Sequence, residues 1–218
     1  MADTKEQILD AAESLFAEHG IGAVPLRRII AEADVNSAAI HYHFGSKEEL
    51  VRAVFQRRFD PINRARIELL NQVEQGAVEG QFSVEAVLYA MVAPPFRLDL
   101  SVQYRRLAGR LFTERSGYLE VIFNDLFKEV EQRFNEALAN ALPDLPNKER
   151  SWRTFMAMGS MIFILREQEW IGKASGGLCV VEEPEGTIAR LVQFMAAGLK
   201  APVLDPVEER VPVERSSR

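Results

Sequence analysis

Val24 to Leu50 reads VPLRRIIAEADVNSAAIHYHFGSKEEL, and this stretch decides the fold. Leu26, Ile29, Ile30 and Ala33 recur at helical spacing behind Pro25, whose fixed φ suits a first helical turn, so a short helix is predicted from about Leu26 to Ala33. Asp34 and Val35 make a turn. Asn36 is a good N-cap for a third helix through about Phe44, and Ser46 with Glu49 has capping-box spacing at the head of a long helix to about Val73. Two short amphipathic helices meeting at a tight turn, followed at once by a capped helix, have helix-turn-helix geometry. Ile40 and Phe44, four apart, face the module's core with Ile29, Ile30 and Val35, which leaves Ser37, His41 and Tyr42 on or beside the exposed side. Ser37, Ala38 and Ala39 occupy the first turn of this second helix of the motif. Their small size permits close approach to a major groove about 12 Å wide.

Working outward, Ile8, Ala11, Ala12, Leu15 and Phe16 predict a first helix from Thr4 to His19, stopped by Gly20. Pro61 falls inside the fourth helix, where it is expected to kink or split it. Further helices are predicted at roughly Ser83 to Ala93, Leu100 to Thr113, Leu119 to Leu142, Lys148 to Gly172 and Pro184 to Leu199. Their breaks fall at Pro94 and Pro95, at Ser116 and Gly117, at Pro143 and Pro146, and at the loop holding Gly176 and Gly177. Apart from Leu178 to Val181, too short to found a sheet, no segment alternates with a strand's period. The expected fold is all-α: an N-terminal three-helix DNA-binding module over residues 1–50, linked by the long helix 46–75 to a helical ligand-binding and dimerisation domain over 51–200. Residues 201–218, with Pro202, Pro206, Pro212 and many charges, are expected to form a poorly ordered tail.

The net charge of −6 excludes a protein coated in nucleic acid over its whole surface, so any DNA contact is local. Residues 1–60 hold seven basic against ten acidic residues, and the acids crowd into the first helix and the start of the fourth. Arg27, Arg28 and Lys47 bracket the motif and are candidate phosphate contacts. No apolar run approaches the roughly 18 residues of a spanning helix, and the N-terminus lacks a signal peptide's basic and apolar blocks, so a cytoplasmic location without membrane association is expected. A single cysteine, Cys179, cannot form an internal disulfide. His41 and His43, two apart on a helix, point away from each other, so no metal is expected. A P-loop, a dinucleotide fingerprint and a di-iron Glu-x-x-His are absent, so no cofactor and no enzymatic activity are expected.

From Ile8 to Leu50 the chain resembles the TetR family of transcriptional regulators. A first helix ending in a Phe-x-x-x-Gly turn is followed by AEADVNSAAIHYHFGSKEEL, similar to the family's Val-Ser-x-Gly-Thr-Leu-Tyr-x-Tyr-Phe-x-Ser-Lys run. Asp34 stands where a turn glycine is usual, Ala39 for a threonine, His41 for a tyrosine, and Pro25 for a hydroxyl cap. The resemblance implies that Lys47 and nearby amides bind phosphate, that Tyr42 and His43 approach the DNA backbone, and that Ser37, Ala39 and His41 approach bases. In the C-terminal half, RRLAGRLFTE, GYLEVIFNDLFKEVEQRF and the helix from Trp152 to Ile171 are similar to the fatty-acid-responsive, PsrA-like branch. That similarity implies a long-chain acyl effector.

One recognition helix covers only a half-site of double-stranded operator DNA, and the last two helices carry apolar residues on more than one face, so a homodimer is expected. Its candidate interface is Trp152, Phe155, Phe163, Leu191, Val192 and Met195, with Gly159 and Ala196 allowing close approach. Large apolar side chains, Met91, Phe96, Leu107, Leu111, Phe112, Phe123, Phe127, Phe155, Met156 and Met158, exceed what the helix faces need, and a small-molecule cavity would use them. Tyr104, Arg105, Arg106 and Arg110, close along one helix, would anchor a carboxylate or phosphate. The reading is therefore a ligand-gated repressor. The alternative is a helical small-molecule-binding protein or enzyme that keeps the motif only as scaffold.

Overall fold

The computed structural model describes residues 4–77, 80–98, 102–114, 117–179 and 184–203. Among them the chain forms ten helices and no strand: α1 Thr4–His19, α2 Leu26–Glu32, α3 Ser37–His43, α4 Lys47–Gln75, α5 Val84–Leu98, α6 Val102–Thr113, α7 Tyr118–Ala141, α8 Asn147–Arg166, α9 Gln168–Ala174 and α10 Pro184–Lys200. The predicted tail from residue 204 onward and the end of the Leu178 to Val181 run lie outside the described residues.

The N-terminal helices end where local chemistry says. Gly20 takes φ +87° and its N–H donates to the Phe16 carbonyl, closing α1. The Asn36 side chain accepts from the Ala39 N–H at 2.9 Å, and the Ser46 hydroxyl from the Glu49 N–H at 3.2 Å. Ile8, Phe16, Ile21, Ile29 and Ile40 close the core of α1–α3 with Leu50 and Val54 of α4. α4 then runs on into the second half of the molecule, packing against α5 and α7, while α5 lies between α4 and α10.

Three helix boundaries differ from expectation. Pro61 does not split α4. α5 continues through Pro94 and Pro95 to Leu98 rather than ending at Ala93. A proline cannot donate to the carbonyl four residues back, so Pro95 leaves the Met91 carbonyl without its helical donor. Arg66 of α4 supplies one instead, its Nε donating to that carbonyl at 3.0 Å. Burial of nearly every residue from Ala90 to Phe96 then outweighs the local penalty. Conversely, the single helix expected over Lys148 to Gly172 is divided at Glu167, whose N–H still donates to Phe163 before the chain turns into α9. Neither glycine nor proline marks that division.

Candidate nucleic-acid interface and effector domain

The turn between α2 and α3 passes through Asp34 at φ +51°, a left-handed conformation in which an aspartate is tolerated better than most side chains but a glycine is unstrained. The Ala33 and Val35 N–H groups bond back to the Ile29 and Ile30 carbonyls, fixing the angle at which α3 leaves. On α3, Ile40 is buried and Ala39 packs partly against the core, whereas Asn36, Ser37, Ala38, His41 and Tyr42 are exposed. Tyr42 is 86% exposed, its ring meeting only the edge of His43, which is half-buried. His41 shares a hydrogen bond with the Gly45 carbonyl through Nδ1 at 3.2 Å. No carboxylate lies on α3. Ser37, Ala38, His41 and Tyr42 are thus exposed together on α3, whereas Ala39 and His43, also predicted contacts, are turned partly inward.

Arg27 and Arg28 of α2 are both exposed, with Arg28 held by the His19 ring at 2.7 Å. Lys47 is placed otherwise than a free phosphate ligand would be. Its ammonium donates to the Ile21 carbonyl at 2.8 Å, and burial pushes its pKa below the ordinary lysine value, with Glu48 opposing. The Ile21 N–H in turn donates to the Glu114 carboxylate at 3.0 Å, while Arg110 donates to both Glu114 and the Glu18 carbonyl. The acids crowded on α1 are largely spent internally. Arg57 donates to Glu6, Asp10 and Glu13, and Arg58 to Glu13, which is buried.

In the second half, Met91, Phe96, Tyr104 and Leu107 are buried, and Phe123, Phe127 and Met158 are half-buried. Phe59 stands between Tyr104 and Phe127, at centroid distances of 5.7 and 5.4 Å, and Phe123 stacks on at 4.8 Å. Leu111 and Phe112 belong to α6, but their side chains lie outside the described residues. Phe155 and Met156 correct the expected pocket: they lie on the outer side of α8, 65% and 66% exposed, because Ala157 and Met161 take its inner face. Nor do the predicted anchors converge. Tyr104 points into the core, whereas Arg105, Arg106 and Arg110 line an outer cleft of about 740 Å³ with Arg166, Lys173 and Trp170. Opposite faces of one helix carry the two sets.

The expected dimer residues also divide. Trp152, Phe155, Gly159 and Phe163 form an exposed stripe along α8, and Phe194, missed in the sequence, is 68% exposed on α10. Phe163 and Phe194 line an apolar hollow of about 500 Å³ with Leu178 and Leu191. Leu191, Met195 and Ala196 are instead buried within the chain, on the face of α10 that meets α5 and α8, and Val192 is half-buried. A second missed residue is Arg66, buried with Asn63 at the centre of the second half. A signal existed: position 66 continues the buried row Phe59, Ile62, Asn63 and Leu70 at helical spacing.

A capped recognition helix presented by a three-helix module, with a helical domain built on the same long α4, defines a helix-turn-helix DNA-binding regulator. Family comparison completes the identification. Residues 8–54 match the bacterial regulatory proteins of the tetR family, and residues 89–198 match the tetracyclin repressor-like C-terminal domain. The chain belongs to the TetR family of transcriptional regulators, and its relatives are regulators rather than enzymes. It is 25% identical over 171 residues to IcaR of Staphylococcus aureus, described as a negative transcriptional regulator of the biofilm operon icaADBC, covering 78% of this chain and 84% of that protein. Its fold is shared with the fatty acid degradation regulator FadR of Bacillus halodurans (TM-score 0.66, 18% identity, covering 93% of this chain and 99% of that one). The same holds for Bacillus subtilis FadR, solved in complex with stearoyl-CoA (TM-score 0.65, 15% identity, 88% and 98% covered). No helix among the described residues is long and apolar enough to cross a membrane.

Proposed function

We propose that the chain is a cytoplasmic repressor that binds palindromic operator DNA as a homodimer and releases it when a mostly apolar small molecule enters the second half. The observation that carries this reading is the exposed, carboxylate-free face of α3, which holds Ser37, Ala38, His41 and Tyr42, with Arg27 and Arg28 also exposed on α2 of the same motif. Ser37 and His41 read base edges, Tyr42 and His43 meet the backbone, and the two arginines bind phosphate. Lys47 braces the module through Ile21 and adds its charge to the phosphate field.

The α8 stripe of Trp152, Phe155 and Phe163, with Phe194 of α10, supplies the apolar face that a second copy covers, doubling the half-sites that are read. The effector sits among Phe59, Phe123, Phe127 and Met91. Since α4 carries both Phe59 and the start of the DNA-side brace, a ligand that favours one tilt of α4 changes the spacing of the recognition helices. Bacillus subtilis FadR, which shares the fold, was solved in complex with stearoyl-CoA, which supports an effector that carries an apolar chain.

The deciding experiment is a gel shift on the DNA upstream of the protein's own gene. A specific complex is expected. Tyr42→Ala should weaken it without changing thermal stability, and His41→Ala should cost about 1–3 kcal/mol of discrimination between operator variants. Wild-type binding by both variants would move the interface elsewhere. Long-chain acyl probes should release the bound fragment, and the absence of release by any apolar molecule would remove the gating half of the reading.

A further inference from the structure

Arg66 is 7% exposed, at the meeting of α4, α5 and α7. Its Nε donates to the Met91 carbonyl at 3.0 Å and its Nη1 to the Asn63 side-chain oxygen at 3.2 Å, while Asn63 donates to the Leu126 carbonyl at 2.8 Å. All of these acceptors are neutral. Its Nη2 carries no hydrogen bond, and no carboxylate pairs with the guanidinium, among the described residues. Burial lowers its pKa from the ordinary arginine value, and the neighbour that opposes this is Tyr104. Arginine nevertheless stays protonated at any working pH, so a whole positive charge is held in the core without a counter-ion.

A structural role explains only part of this. The carbonyl left open by Pro95 needs one donor, and a glutamine amide would serve without the desolvation cost of an ion. The positive charge itself meets no carboxylate among the described residues. Phe59 lies about two helical turns before Arg66 on the same buried face of α4, and with Tyr104, Phe127 and Phe123 it forms a continuous row of rings toward the half-buried edge of α7. An apolar chain lying along that row would bring its end group to Arg66.

We infer that Arg66, assisted by Tyr104, is the receptor for a carboxylate at the end of the effector's apolar chain, so that the effector is an anionic amphiphile of the fatty-acid class and not a neutral one. This rests on the proposal that an apolar molecule occupies the second half. Two other seats are less suited to the carboxylate. The groove between α4 and α7, about 480 Å³, sets Asp60, Glu68, Asp125 and Glu129 against Arg52 and Arg64, with Arg52 already paired to Asp125, so its net field repels an anion. In the outer cleft Arg110 and Arg166 already pair with Glu114 and Glu167, and its other cations, Arg105, Arg106 and Lys173, stand at an outer surface where ion pairs add little.

The test measures binding of dodecanoic acid, methyl dodecanoate and dodecanol to the full-length protein by calorimetry, which needs no DNA. In the wild type the acid should bind at least about tenfold more tightly than the ester, the scale of one buried charge-assisted hydrogen bond. Arg66→Gln should erase that preference while leaving ester binding within about threefold, a change of well under 1.4 kcal/mol; Arg66→Lys should keep part of it. The wild-type comparison of acid with ester stands even if Arg66→Gln fails to fold. Equal binding of acid and ester, a preference that survives Arg66→Gln but is lost in Arg105→Ala/Arg106→Ala, or no binding of any of the three would each overturn the assignment. Operator release by neutral probes with equal strength would overturn it too, while leaving the ligand-gated reading intact.

Discussion

Glu13 and Arg66 are both buried charges, and both lean on α4, about two helical turns apart. Glu13 lies between Arg57 and Arg58 and accepts hydrogen bonds from both, with Glu6 and Asp10 completing the charge around Arg57. Arg66 has amide and carbonyl oxygens for company and, among the described residues, no ion of opposite sign. In the first arrangement the charges answer one another and tie α1 to α4, although the buried Arg57 Nε has no hydrogen-bond partner. In the second no carboxylate answers the guanidinium among the described residues. On the assignment proposed above, the half that carries the unanswered buried charge is the half that receives the effector.

The largest effect expected from testing this contrast is at Glu13. Glu13→Ala strips the shared partner from two guanidinium groups and should cost about 3 kcal/mol in urea unfolding, within the range for breaking a buried ion pair. A loss below about 1 kcal/mol would show that the two arginines simply turn to solvent, and the contrast would weaken. Asn36→Ala asks whether the tightness of the N-terminal half extends to the recognition helix, since it removes the cap on the Ala39 N–H; about 1 kcal/mol should be lost. Arg66→Met should stay within about 1 kcal/mol of wild type without ligand, because relief of the unpaired charge offsets the opened Met91 carbonyl. A cost equal to that at Glu13 would make Arg66 a plain structural tie. The smallest effect is expected at the turn, where Asp34→Gly should raise stability by a few tenths of a kcal/mol by relieving the left-handed strain, read as a small rise in Tm.

The same contrast explains what could be read from the sequence. The N-terminal module is specified by local signals: Gly20 stops α1, Asn36 caps α3, and Ser46 caps α4, each acting within four residues. Its fold and the exposed side of α3 were therefore legible at once. In the second half the decisive contacts are distant. Pro94 and Pro95 predict a break that a donor from position 66 removes, and periodicity alone does not tell which face of α8 turns outward. The expected pocket drew on side-chain type, so it gathered Phe155 and Met156 from the outer surface and put Tyr104 with arginines that occupy the opposite side of α6. The dimer face suffered likewise: apolar character identified α10, but only packing shows that Leu191 and Met195 are already used and that Phe194 is not.

Ile21 sits in the loop after α1, with its N–H given to Glu114 just beyond α6 and its carbonyl taken by Lys47 at the first residue of α4. A hydrogen bond tolerates only about half an ångström of stretch before it ceases to hold. The loop therefore works as a coupling with almost no backlash between α6 and the head of α4. A shift of α6 beyond that tolerance has two outcomes: it carries the DNA-binding module along as a rigid part, or it uncouples at Ile21 and leaves α3 where it was.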